Sequence, residues 1–202
     1  MLLITTAGCN IATVRSLEED EEAKKGFVVT EYVDQIWEGA YRSAITERAV
    51  AFEALMALID ADENAAIAAH GSRSGSGAFS FVTQGEARVL EVNTESRIGF
   101  MTLDVAPYDG NADASMAIGP VIRGRDTSLR DAVGFINFND FTNQTEFAQV
   151  SDAMKTRVLE TVLGAIDLET IQGQTIRFYG TFMLSDRNNL EIVPVTLEVI
   201  DS

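Results

Sequence analysis

Cysteine and histidine are almost missing from this chain: Cys9 and His70 are the only ones among its 202 residues. A single thiol rules out an intrachain disulfide. One Cys and one His also fall short of the three or four ligands that zinc sites draw from those residue types, so any metal would have to be held by oxygen. Basic residues are scarce as well. Fifteen Lys and Arg stand against 31 Asp and Glu, a net charge of −16, and a field of that sign repels phosphate backbones and anionic headgroups. A nucleic-acid partner is therefore not expected, and solubility alone accounts for the acidity. No apolar run reaches about 18 residues, the length that spans a bilayer as a helix.

Other chemistry is excluded by pattern. The glycines and serines of "AAHGSRSGSGAFSF" lack the Gly-Lys-Ser or Gly-Lys-Thr of a phosphate loop, and they lead into a strand where that loop leads into a helix. His70 heads this loop with no nucleophile-elbow motif to serve, so its expected role is structural. "DGNAD" and "DADEN" lack the glycine at the sixth position and the glutamate at the twelfth that build a calcium loop. No cofactor and no metal are expected.

What is present is enough apolar material, 46% of the chain, to bury a sizeable core. The chain opens "MLLITTAGCN", and "TAGC" resembles a lipobox, in which small residues precede a cysteine that becomes lipidated. Only eight residues precede Cys9, whereas a full signal has a charged start and an apolar stretch of about 7–15 residues. After Cys9 the run "SLEEDEEAKK" reads as a solvated tether, since like charges repel and no apolar face is offered. The expected organisation is a signal remnant and tether over 1–26, followed by a single α+β domain over 27–202.

Within that domain the apolar spacing predicts two helices, or one bent helix, with Tyr32, Ile36 and Ala40 on one stripe and Val33, Trp37 and Tyr41 on the next. A second stripe, Ala49, Phe52, Met56 and Ile59, follows. Trp37 at helical spacing is expected in the core. Residues 78–122 read as β, with "FSFVT", "ARVLEVN", "RIGFMTLDV" and "ASMAIGPVI" separated by turn chemistry at Gln84-Gly85, Asn93-Thr94 and "YDGNAD". "TSLRDAVGF" is a short helix. The clearest helix is "NQTEFAQVSDAMKTRVLETVLG", with Phe147, Val150, Met154, Val158 and Val162 on one face, Gly164 at its end, and Asn143 and Glu146 placed as a capping box. The chain closes with a hairpin in which Gly180 suggests a bend and Pro194 an edge or a bulge. The fold class is α+β, a curved antiparallel sheet or partly closed (OB-like) barrel packed with helices.

One stretch mixes aromatic rings with amides. In "FINFND" the rings are Phe135 and Phe138, with Phe141 next in step, and between them stand Asn137, Asn139 and Asp140. Amides and carboxylates bond hydroxyls in fixed directions while rings cover an apolar sugar face. A buried turn would equally need such side chains for its backbone, and the neighbouring rings suggest that Asn139 is buried. Arg123, Asn137, Asn139 and Asp140 are the candidate ligand-binding residues, with no catalytic residue among them.

"YVDQIWE", "ESRIGFMTLDV", "IGPVIRG", "TSLRDAVGFINFNDFTNQTEFAQV", "RVLETVL" and "VPVTLEV" resemble an uncharacterised bacterial family of predicted periplasmic lipoproteins, from about residue 27 to the end. An extra Gly-Arg in "RGRDTSLRD" departs from the family's pattern. The resemblance implies lipidation at Cys9, a periplasmic, membrane-anchored lipoprotein, and genes beside those of sugar ABC transporters; it carries no catalytic residues. The expected function is a noncatalytic cell-envelope lipoprotein accessory to sugar uptake, binding a small polar ligand or the components of a sugar ABC transporter, and touching the membrane through its lipid alone. The alternative is a hydrolase of the envelope using Asp140 and a second carboxylate.

Overall fold

The computed structural model describes residues 28–187 and 189–200; Cys9 and the acidic tether lie outside the described residues. Helix α1 (Val29–Ile36) runs through a π-helical turn at Trp37–Tyr41 into α2 (Arg42–Arg48). Of the two possible stripes, Val33, Trp37 and Tyr41 are buried and Ile45 continues them, while Ala40 is exposed. Trp37 and Tyr41 stack with ring centroids 4.7 Å apart, so both rings belong to the core. The chain then extends through β1 (Val50–Ala51) before α3 (Phe52–Ala61) and α4 (Glu63–His70). Asp62 separates these two helices because its carboxylate accepts the Ala65 N–H at 3.0 Å, satisfying one of the donors a helix start leaves unpaired.

The turn expected at Gln84-Gly85 does not form. Strand β2 (Ser80–Asn93) runs unbroken through both residues, and Gly85 stands opposite Phe178, whose ring lies 3.3 Å from where a Cβ would sit. The glycine makes room for an aromatic ring and does not reverse the chain. Over Ser80–Arg88 this strand pairs with β5 (Thr175–Met183), and over Ala87–Asn93 with β3 (Phe100–Val105). Strand β3 pairs with β4 (Ala114–Ala117), giving the antiparallel meander that the short connections predict. Strand β6 (Glu191–Ile200) joins β4 in parallel and β5 antiparallel. The order β2-β3-β4-β6-β5 thus returns to β2 and closes a ring, with β1 added in parallel outside it. Between β5 and β6 the register shifts at Tyr179/Gly180, where Gly180 faces Pro194; a Cβ on Gly180 would meet the Ile192 Cγ2 at 2.5 Å. The bulge expected from Gly180 and Pro194 is present.

Between β4 and β5 lie α5 (Ser128–Asp131), a 3₁₀ turn at Phe138–Asp140 and α6 (Gln144–Arg157), which continues as a π-helical turn at Val158–Val162 and a 3₁₀ turn at Leu163–Ala165. All five residues of the predicted apolar face, Phe147 to Val162, are buried. Asn143 caps α6, its Oδ1 accepting the Thr145 and Glu146 N–H groups at 2.9 and 3.0 Å, and the Glu146 carboxylate reaches back to the Thr142 N–H at 3.0 Å. Helix α6 packs on α1, and its π-helical continuation on β6. What the periodicity does not show is that Ser151 and Lys155, on the flank of the same helix, are also buried.

Candidate functional site

After β4 the chain turns back on itself at Arg123–Asp126, where the Asp126 N–H donates to the Arg123 carbonyl at 3.0 Å. Helix α6 and α5 fix this turn from beneath. The buried Lys155 donates to the Gly124 carbonyl at 3.0 Å, Ser151 Oγ to the Asp126 carbonyl at 3.4 Å, and the Ser128 N–H to the Asp126 carboxylate at 2.7 Å. The neighbouring Arg130 and Asp131 form a buried ion pair at 2.7 Å, with Thr127 donating to the other Asp131 oxygen at 2.7 Å. Arg130 also donates to the Phe147 carbonyl at 2.9 Å and lies 3.7 Å over the Phe147 ring. Polar side chains are costly to bury unless partnered, and here each one's partner lies in or beside the Arg123–Asp131 segment.

Above this support the turn forms one wall of a cleft of about 340 Å³, and the loop between β5 and β6 forms the other. Arg123, Arg125 and Asp126 stand on the first wall; Ser185, Asp186 and Asn189 stand on the second, with Glu191 at the base of β6 and Met183 at the end of β5. Arg123 Nε lies 3.2 Å from Glu191, yet it is misaligned for a hydrogen bond and leaves that buried N–H without an acceptor. Burial raises the carboxyl of Asp126 against the opposing pull of its Ser128 hydrogen bonds and of Lys155, with Asp131 adding to the rise. Burial likewise raises Glu191, opposed by Arg123 and Arg125 and assisted by Asp126.

Both carboxyls therefore bind a proton more tightly in the folded chain than in the unfolded one. Between their ordinary values, 3.8 and 4.5, and their raised folded values, the native state holds more protons, so this contribution to stability rises as the pH falls. Lowering the pH from neutral towards those ordinary values is expected to raise the denaturant midpoint through these groups, with a smaller difference in Asp126→Asn. An identical difference in that variant would clear Asp126 of the effect.

A second groove, of about 460 Å³, lies between α3 and the loop joining β3 to β4, and the other side of the β5–β6 loop borders it through Arg187 and Leu190. Several of its polar groups are already engaged. Arg187 binds Glu63 and the Ile59 carbonyl, Asp113 accepts the Val105 N–H at 2.7 Å, and Asp109 accepts the Asn111 N–H at 2.8 Å, which holds the Asp109 carboxyl below its ordinary range. Among the described residues no group of three or more His, Cys, Asp or Glu side chains is arranged to hold a metal ion, and no helix is long and apolar enough to cross a membrane.

The structure separates the four candidates read from the sequence. Arg123 lines the first cleft. Asn137, Asn139 and Asp140 lie on the exposed 3₁₀ turn, which borders neither cleft. The expectation that Asn139 is buried is overturned, because Phe138 is itself 47% exposed and only Phe141 of the neighbouring rings turns into the core. Asp140 accepts the Asn137 N–H at 3.1 Å and Asn137 donates to the Phe135 carbonyl at 2.9 Å, so both serve the turn. Arg125, Asp126, Asn189 and Glu191 were not singled out in the sequence. The available signal was the Arg-Gly-Arg-Asp turn in a chain poor in bases.

The ring order, with a helix between the third and fourth ring strands, defines the protein as an OB-type barrel. In agreement, the crystal structure of an OB-fold protein from Thermotoga maritima MSB8 superposes with a TM-score of 0.68 over 87% of this chain and 100% of that one, at 16% identity. The chain belongs to the family described as "Predicted periplasmic lipoprotein (DUF2291)", whose model matches residues 1–198, and it is thereby a periplasmic, membrane-anchored lipoprotein. Comparison with curated proteins gives no significant match.

Proposed function

We propose that the protein is a noncatalytic envelope lipoprotein that assists solute uptake by binding a small polar molecule of the sugar kind in the Arg123 cleft, in concert with components of a sugar ABC transporter. One observation carries this reading: the cleft gathers directional donors and acceptors of both charges on a turn held rigid by buried side chains of α5 and α6. A site set for hydroxyl groups needs such preorganised groups, because ordering them during binding would consume the affinity they supply. The fold supports the position, since barrels of this type bind ligands with the loop joining their last two strands, here the β5–β6 loop. The hydrolase alternative as read from Asp140 finds no support there, since that carboxylate caps its own turn outside the cleft.

Thermal unfolding of the full chain with a panel of monosaccharides tests the reading. A ligand at 100 times its Kd stabilises the native state by about 2.7 kcal/mol. A saturable rise in Tm is expected with at least one sugar, lost in Arg123→Gln and retained in Asn139→Ala. If no sugar stabilises the chain, or if Arg123→Gln leaves the rise intact, the cleft is not the site.

A further inference from the structure

We propose that Arg125 anchors an anionic group on the bound solute, so that the cleft selects acidic sugars, rings bearing hydroxyls together with a carboxylate or phosphate, over neutral ones. The inference rests on the solute-binding reading of this cleft. Carboxylates outnumber bases about two to one in this chain, and most cleft-side and core cations have taken a partner: Arg123 stands beside Glu191, Arg130 beside Asp131, and Lys155 bonds the Gly124 carbonyl. Arg125 is exposed and lines the cleft, yet it makes no ion pair within 4 Å among the described residues. Its influence on Glu191 is through space.

The backbone that carries Arg125 is held on both sides. Lys155 grips the carbonyl of Gly124 before it, and the Asp126 after it is bonded through both its carboxylate and its carbonyl. A planar guanidinium on a fixed backbone presents paired N–H donors that match a carboxylate or a phosphate, and a neutral hydroxyl makes poor use of them. Other groups of the lining suit the hydroxyls of such a ligand. Asp126 and Glu191 are placed to accept hydroxyl protons, while Ser185 and Asn189 can donate or accept. The field of a chain at −16 disfavours anions in general, so an anion that binds must carry the hydroxyls that the acceptors reward; a simple anion gains the arginine alone.

Matched pairs separate the possibilities: D-galactose and D-galacturonate, D-glucose and D-glucuronate, D-ribose and D-ribose 5-phosphate, with acetate and inorganic phosphate as bare anions, each titrated into the full chain by calorimetry. The expected result is that the acidic member of at least one pair binds at least tenfold more tightly than its neutral partner and than the bare anions. Arg125→Ala should remove that preference while Arg125→Lys retains part of it, with the Tm of both variants near that of the parent. Neutral members that bind as well as acidic ones, or a preference that survives Arg125→Ala, would overturn the anchor and leave the solute site standing. Binding of bare anions as tight as that of the acidic sugars would make Arg125 an unselective anion contact and also overturn it. If no member of any pair binds, the anchor and the solute site fall together.

Discussion

Gly119→Ala is expected to destabilise the fold by roughly 3–5 kcal/mol, at the upper end of what single substitutions do. A Cβ at this position would stand 2.0 Å from the Gly99 nitrogen, 2.7 Å from its Cα and 2.9 Å from the Arg97 carbonyl oxygen. All three are backbone atoms, so no rotamer change can relieve the overlap. The two segments are pressed together by hydrogen bonds from the Ile118 and Gly119 N–H groups to the Gly99 carbonyl, both at 3.0 Å, and from Val121 to the Arg97 carbonyl at 3.1 Å. Gly124→Ala, where a Cβ meets nothing within 4 Å, is the control and should change stability by no more than about 0.5 kcal/mol. Urea unfolding of the pair measures both. Equal midpoints would mean that the crossing is not closely packed.

The second large effect is expected at the buried pair. Asp131→Ala leaves the Arg130 guanidinium, 5% exposed, with the Phe147 carbonyl and ring as its remaining neighbours. Removing one partner of a buried ion pair costs about 3–5 kcal/mol, because the other charge stays desolvated without compensation. Replacing both, as Arg130→Met with Asp131→Leu, should cost much less, since burying neither charge avoids that penalty. Chemical denaturation of the single and double variants decides the matter: a double variant as unstable as Asp131→Ala would show that geometry, and not charge, is what the pair supplies. Because Asp131 also holds Thr127, the residue that follows the Arg123–Asp126 turn, the single variant should also weaken any sugar-dependent stabilisation.

Periodic features were legible in the sequence, and features set by distant partners were not. The face of α6 from Phe147 to Val162 and the Asn143 cap depend on neighbours within a few residues, so spacing revealed them. Gly85 misled because a glycine after Gln84 has the local chemistry of a turn, while its real neighbour, Phe178, lies across the sheet. Asn139 misled for the converse reason. Its flanking rings implied burial, but Phe138 packs edge-on against Phe147 at 5.6 Å and leaves one side of the turn to solvent. In the cleft, Arg123 could be chosen as one cation among few, whereas Asp126 and Glu191 meet only when β6 is laid beside β4, a parallel pairing of strands some 75 residues apart, as the hydrogen bond from Ser115 to Leu190 shows.

The double pairing of β2 also bears on the order of assembly. Its contacts with β3 join near neighbours, such as Asn93 and Phe100, and the β5–β6 hairpin likewise needs only its own short loop. Closing the ring is different in kind, since Ser80 must find Met183 from a distant part of the chain. Long loops of this sort are costly to close and slow the search. Their contacts favour early and separate formation of the meander and the hairpin, and the wall that carries Ser185 and Asn189 meets the wall that carries Arg125 when those two halves of the ring close.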